Sequence, residues 1–353
     1  MTDRIAILTP TMNRSDFVLR ALKYYASVGF RGQLIFGDSS NPAQQQLMQR
    51  HIAEYSHALR ITYHYFENPP YFNDAVCMRE MINRTDSDYM VYAGDDDLLV
   101  PATLQKCAEF LDGHSDYAAA HGVYVTFMLK TGGAFGKIVE THYQPNHILT
   151  STSSRERWKG YMRHTLSTQY YLHRKQTWQA MYEYLPHVSI RYLGPEVLPC
   201  SMSVIAGKIA EVDALSVLFQ INPERPFGWN THSIYSLTSD PAWPAAMRGL
   251  KAAVSAELAR RDGISPEEAA QYFDVEIWRH LLILSQAHYD MRGYDPVNVF
   301  YAAKRRFRNV VGLWSKLRQL RAGQYRNCSL DRITQPSHPY HRDFEAAKAI
   351  IEQ

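Results

Sequence analysis

The sequence predicts an α/β fold, a mostly parallel sheet with helices on both faces, followed by a C-terminal helical region. Three observations carry the prediction. Over the first 112 residues, short β-like runs alternate with stretches whose apolar residues recur at helical spacing. Polar clusters fall just after those runs, at the sheet edge where open α/β folds gather ligands. Beyond about residue 240 the chain reads mostly helical. The expected division is therefore 1–235 as the sheet-containing, ligand-binding domain and 236–353 as the helical region.

RIAILTP reads as the first strand, followed by Phe17, Val18, Ala21, Leu22, Tyr25 and Val28 at helical spacing, with Ser15 available as a cap. QLIFGD is the second strand, and Leu47, Met48, Ile52 and Tyr55 mark the helix after it. ITYHYF, a helix through Val76, Met78 and Ile82, and YMVYAGDDD come next, before a helix opened by Pro101 and carried by Leu104, Cys107, Ala108 and Leu111. YAAAHGVYVTFML and AFGKIVETHY flank Thr131, Gly132 and Gly133 as an antiparallel hairpin. The Ser/Thr-rich stretch at 150–157 reads as an exposed loop.

The totals exclude several classes. A chain of 353 residues with 46% hydrophobic and 21% charged content is neither disordered nor a disulfide-built mini-protein. Cys77, Cys107, Cys200 and Cys328 form no CxxC or zinc pattern, and no apolar run approaches the roughly 18 residues of a membrane span, so a cytoplasmic protein is expected. The net charge of +3 does not argue for nucleic acid. Between Lys304 and Arg326, however, lie eight basic residues and no acidic one. Val297, Phe300, Tyr301, Phe307, Val310, Val311, Trp314, Leu317 and Leu320 recur among them at helical spacing. A basic amphipathic helix near 296–321 would either pack on the body or touch an anionic membrane from the cytoplasmic side.

The chemistry centres on Asp95, Asp96 and Asp97. Adjacent carboxylates repel, and a fold tolerates them where solvent, helix ends, basic side chains or a metal absorb the charge. On an extended segment Asp95 and Asp97 face one side and Asp96 the other. One or two carboxylates completed by phosphate oxygens and water suit Mg2+ or Mn2+, and the opposite-facing acid suits a ribose hydroxyl. The alternative is a favourable charge at the helix opened by Pro101. Asp38, in Asp-Ser-Ser-Asn-Pro, is either a turn former or a nucleotide contact at the same edge.

ILTPTMNRSDFVLRAL, LIFGDSS and YMVYAGDDDLLVPATLQKCAEFL together resemble the nucleotide-sugar half of GT-A-fold glycosyltransferases, in particular the inverting family 2. The resemblance covers roughly residues 4–125 and weakens toward 235. It implies that Thr9, Pro10, Asn13, Arg14 and Asp38 line a nucleoside pocket, with Thr11 and Ser39 in the same polar clusters and Arg79 near the nucleotide. Asp95 and Asp96 would face ribose and sugar. Asp97 would bind the metal, with Asp95 and His232 available to its shell, and Arg225 would neutralise phosphate. Glu196 takes the position of the catalytic base, although Pro195 replaces the acid that usually precedes it, and Trp229 offers an acceptor platform or a core residue. The implied donor is a nucleoside-diphosphate sugar and the implied acceptor a glycan or lipid-linked precursor. A nucleotidyltransferase would open on a Gly-rich loop, which TPTMNRSD lacks. A non-catalytic binder of the same fold and a transferase acting on nucleic acid are the remaining alternatives.

Overall fold

The computed structural model describes residues 2–67, 73–164, 166–188, 190, 192–222, 237–292 and 326–353, with the backbone alone at 73–75 and 286–292. Arg225, Trp229, His232 and the 296–321 segment lie outside the described residues.

The predicted alternation is present. β1 (Ile5–Thr11), α1 (Ser15–Ser27), β2 (Gln33–Asp38), α2 (Pro42–Tyr55), β3 (Arg60–Tyr65), α3 (Asn73–Ile82), β4 (Tyr89–Tyr92), β5 (Asp97–Leu99) and α4 (Pro101–Gly113) follow in order. The hairpin of β6 (Tyr117–Leu129) and β7 (Ile138–Gln144) comes next. α5 (Ser154–Arg163), β8 (Leu172–Arg174), α6 (Lys175–Glu183), α7 (Leu198–Ala206) and β9 (Lys208–Gln220) complete the sheet region. α8 (Trp243–Asp262), α9 (Pro266–Arg292), α10 (Leu330–Ile333) and α11 (His341–Ile351) close the chain.

The sheet runs β3-β2-β1-β4-β8-β6-β9-β5, with β7 beside β6. Its first four strands are parallel, and β8 then pairs antiparallel with both β4 and β6. Ile5 to Leu8 and Leu34 to Phe36 are buried, as continuous apolar runs in a covered parallel sheet must be. Because β2 and β4 lie on opposite sides of β1, the chain reverses its direction of travel there. That reversal opens a crevice at the carboxyl ends of β1 and β4.

Three local expectations change. YMVYAGDDD is not one strand: β4 ends at Tyr92, the chain turns, and β5 crosses the sheet to pair with β9. Ser15 does not cap α1; its hydroxyl donates to Gln44 Oε1 at 2.6 Å. The stretch at 150–157 is only partly loop, since Ser153 caps α5 and Ser154 is buried.

The helices after residue 236 share one hydrophobic core with the sheet, through Leu250, Val254, Phe273 and Phe344 among others. Asp262, at the end of α8, ties them to the start of α5. It accepts hydrogen bonds from the backbone N–H groups of Ser154 (2.7 Å) and Arg155 (3.0 Å) and from the Ser153 and Ser154 hydroxyls. Burial raises its pKa, but these hydrogen bonds outweigh burial and hold it down to about 2. A depressed carboxyl stabilises the fold above its unfolded pKa and loses that contribution as pH falls through the folded value. Asp262→Ala should therefore cost about 2 kcal/mol at neutral pH by urea denaturation, and the difference from the parent should shrink between pH 4 and pH 2. A constant difference across that range would refute the assignment.

Candidate functional site

The crevice end of β1 is built from its own turn residues. Asn13 adopts φ of 56°, a left-handed conformation that asparagine tolerates better than most side chains. Its N–H donates to Ser40 Oγ (2.7 Å), and its side chain accepts from Asn41 N (2.9 Å). Ser39 N donates to the Thr11 carbonyl (3.0 Å). Asp38 is fully buried: one carboxylate oxygen accepts from Ser40, and the other from the Tyr63 hydroxyl at 2.8 Å. Its side chain therefore holds the turn after β2 and ties it to β3. Thr9 and Thr11 are buried beside it, Pro10 is half-buried, and Asn13 is exposed. Arg79 on α3 makes an ion pair with Glu80 at 3.7 Å.

The aspartate triplet departs from the extended geometry that the sequence suggests. Gly94 to Asp97 form a turn, closed by Asp97 N–H to the Gly94 carbonyl at 3.1 Å. Asp95 and Asp97 consequently point to different partners rather than to one side. Asp95 accepts from the Thr11 hydroxyl (2.7 Å) and from one arm of the Arg14 guanidinium (2.5 Å), whose other arm reaches Asp96 (3.0 Å). Asp97 accepts from the Tyr170 hydroxyl (2.5 Å) and the Gln220 amide N–H (3.0 Å). All three are buried. Burial pushes Asp95 up to about 6, against the downward pull of Arg14 and with a further upward push from Asp96.

Beneath the turn lies a second cation that the sequence reading missed. Arg20 is completely buried and donates to the Asp96 carbonyl (2.7 Å), the Ala134 carbonyl (2.6 Å) and Gln220 Oε1 (2.6 Å). Burial lowers its pKa to about 10, with Asp96, Asp97 and Asp95 holding it up, so it stays charged at neutral pH. One signal was available. Arg20 stands three residues after Phe17 and four before Tyr24, inside the apolar face of α1.

Gly94 faces the triplet. A Cβ there would lie 2.7 Å from Asp97 Oδ2, 2.9 Å from the Tyr170 hydroxyl and 3.1 Å from Asp96 Oδ1. The space that the missing side chain leaves is a cradle of hard oxygen donors, the ligand chemistry of Mg2+ or Mn2+. Asp96 and Asp97 face this space and would hold such an ion, completed by phosphate oxygens and water, alongside their bonds to Arg14, Tyr170 and Gln220. No cluster of three metal-ligating side chains occurs among the described residues.

Tyr170 joins the triplet to a cavity of about 270 Å³, whose walls include Tyr92, Tyr124, Asn146, Gln169, Tyr192 and Glu196. Thr9, Asn13 and Asp38 are not among its lining residues. Glu196 lies in a π-helical turn, Leu193–Val197, that leads into α7. Isolated π turns of this kind occur often at functional sites. Gln169 steadies that turn: its amide donates to the Pro195 carbonyl at 2.9 Å, while its oxygen accepts from the Tyr182 hydroxyl. Tyr92 comes from β4, Tyr124 from β6, Asn146 from the segment after β7, Gln169 and Tyr170 from the segment before β8 and Tyr192 from the turn before α7, and the sequence reading named none of them.

No protein-family model and no curated protein matches the chain. Among solved structures, TarS of S. aureus superposes with a TM-score of 0.50 at 12% identity, covering 84% of this chain. The chain spans 46% of the length of TarS. TarS 1–349 in complex with UDP-GlcNAc gives a TM-score of 0.48 at 13% identity, over 84% of this chain and 76% of that one. The mannosyltransferase PcManGT from Pyrobaculum calidifontis, in complex with GDP-Man and Mn2+, gives 0.43 at 12% identity, over 99% and 84%. The TarS superposition, on a sheet of this order, shows that the chain has the GT-A glycosyltransferase fold.

Proposed function

We propose that this protein is a glycosyltransferase that moves a sugar from a nucleoside-diphosphate sugar to a hydroxyl of a glycan or lipid-linked precursor, with inversion. The observation that carries the reading is the buried aspartate turn at the β1/β4 crevice, neutralised by Arg14 and Arg20 and joined through Tyr170 to a cavity holding Glu196. Asp96 and Asp97 would hold a divalent cation. When bound, that ion supplies positive charge to the departing diphosphate. Arg14 fixes Asp95 and Asp96 in place, so the turn needs little reorganisation when a ligand arrives. Tyr170 keeps its proton, because burial drives its pKa well upward, and so acts as a donor that orients Asp97. Glu196 accepts the proton that the acceptor hydroxyl loses as its oxygen attacks the anomeric carbon and the bond to the diphosphate breaks.

The test begins with UDP and GDP, each with and without Mn2+, in a thermal-shift screen. A nucleotide that binds only the folded state raises its melting temperature by mass action. One nucleotide should shift the protein, and more strongly with Mn2+; no shift with any nucleoside diphosphate would defeat the reading. With the matching donor in hand, Glu196→Gln should lower kcat by about 10²–10⁴-fold while leaving donor KM unchanged. Unaltered turnover in that variant would remove Glu196 from the reaction.

A further inference from the structure

Four of the eight large apolar side chains exposed among the described residues stand on one helix: Val275, Trp278, Leu282 and Ile283 of α9, at 56%, 66%, 68% and 41% exposure. Their spacing of three, seven and eight residues puts them on a single face. The opposite face, with Phe273, Ile277, His280 and Leu281, is buried. The carboxylates nearest the stripe are already paired, Asp274 with Lys251 (2.6 Å) and Glu276 with Arg279 (2.5 Å). Along the sequence, α9 leads toward Lys304–Arg326, with its eight basic residues and no acidic one.

We propose that this outer face of α9 docks on an anionic lipid surface. The stripe from Val275 to Ile283 occupies about 12 Å of helix at 1.5 Å per residue. A stable protein dimer buries about 800 Å² on each partner, which so short a strip does not provide. Shallow insertion into a bilayer interface needs only a few such side chains, tryptophan foremost, and gains from cationic residues nearby. No helix among the described residues is long and apolar enough to cross a membrane, so this contact is one of lying on the surface.

The same helix reaches the cavity. His280 Nδ1 faces the Met162 carbonyl (3.1 Å) and therefore carries the ring hydrogen, so Nε2 accepts from the Tyr192 hydroxyl (2.5 Å). Tyr192 lines the cavity with Glu196. A helix with lipid on one face and the cavity wall on the other would bring a membrane-embedded acceptor to the site. That last step rests on the transferase reading, whereas the docking does not.

The experiment is co-sedimentation of the full chain with vesicles of equal parts phosphatidylcholine and phosphatidylglycerol, and with phosphatidylcholine alone, in the absence of any nucleotide. The protein should bind the mixed vesicles at low salt and the neutral ones at least about tenfold more weakly, since each basic residue near an anionic surface adds about fivefold. The double variant Trp278→Glu, Leu282→Glu should lose at least about tenfold in affinity for the mixed vesicles, with circular dichroism and melting temperature unchanged. The pair Val275→Ser, Ile283→Ser should change binding in the same direction. Equal binding by parent and variants, or no binding to either vesicle, overturns the proposal. So does a monomer–dimer equilibrium in sedimentation velocity that Trp278→Glu abolishes while vesicles retain nothing.

Discussion

Asp97→Asn should leave the protein folded and lower sugar transfer by about 10²–10³-fold, the loss typical of removing one preorganised electrostatic contact. Asparagine is the informative choice because Asp97 is not a free carboxylate waiting for a ligand. It accepts from the Gln220 amide and the Tyr170 hydroxyl, and it begins β5. Alanine would strand both donors in a buried site and confound a loss of activity with a loss of structure. Asparagine can still accept from the Gln220 backbone N–H through its carbonyl oxygen and donate its NH2 to the Tyr170 hydroxyl oxygen, but it removes the negative charge that a divalent cation needs. The expected result is a melting temperature close to that of the parent, a nucleotide-induced shift that no longer responds to Mn2+, and residual transfer. Full transfer by Asp97→Asn in the presence of a chelator would defeat the proposed role of the aspartate turn.

The second large effect is on stability. Arg20→Met should destabilise the protein by about 3–5 kcal/mol, the cost of removing one partner from a buried, hydrogen-bonded charge cluster. Methionine fills much of the same volume, so the loss reports charge and hydrogen bonding rather than a cavity. Three acceptors lose their donor at once: the carbonyls of Asp96 and Ala134 and the side-chain oxygen of Gln220. Three neighbouring carboxylates also lose a counter-charge. Against a typical domain stability of 5–15 kcal/mol, such a loss is a large fraction of the whole. Arg20→Lys keeps the charge but not the planar fork, and should fall between parent and Arg20→Met. Urea denaturation decides the matter; a difference under about 1 kcal/mol for Arg20→Met would show that the triplet does not depend on its buried partner.

The sequence made the first half of the fold legible because its signals are local. Ile5 to Leu8 and Leu34 to Phe36 are continuous apolar runs, Pro101 opens α4, and the glycine-containing gap between β6 and β7 marks a hairpin. The position of the aspartates at a strand end was equally plain. Their directions were not. Period-two reasoning holds only while the chain stays extended, and the hydrogen bond from Asp97 to Gly94 ends that at the residue where it mattered.

What the sequence by itself determined is therefore the type of fold, the order of its first elements and the place where negative charge gathers. Tertiary structure alone decided how that charge is held. Arg20, Tyr170 and Gln220 lie far apart in the chain and meet the triplet only because α1, the segment before β8 and the end of β9 converge on one turn. The physical reason is range. Helix and strand patterns arise among residues within a few positions of one another, whereas a buried charge is compensated by whatever group the packed fold brings within about 3 Å.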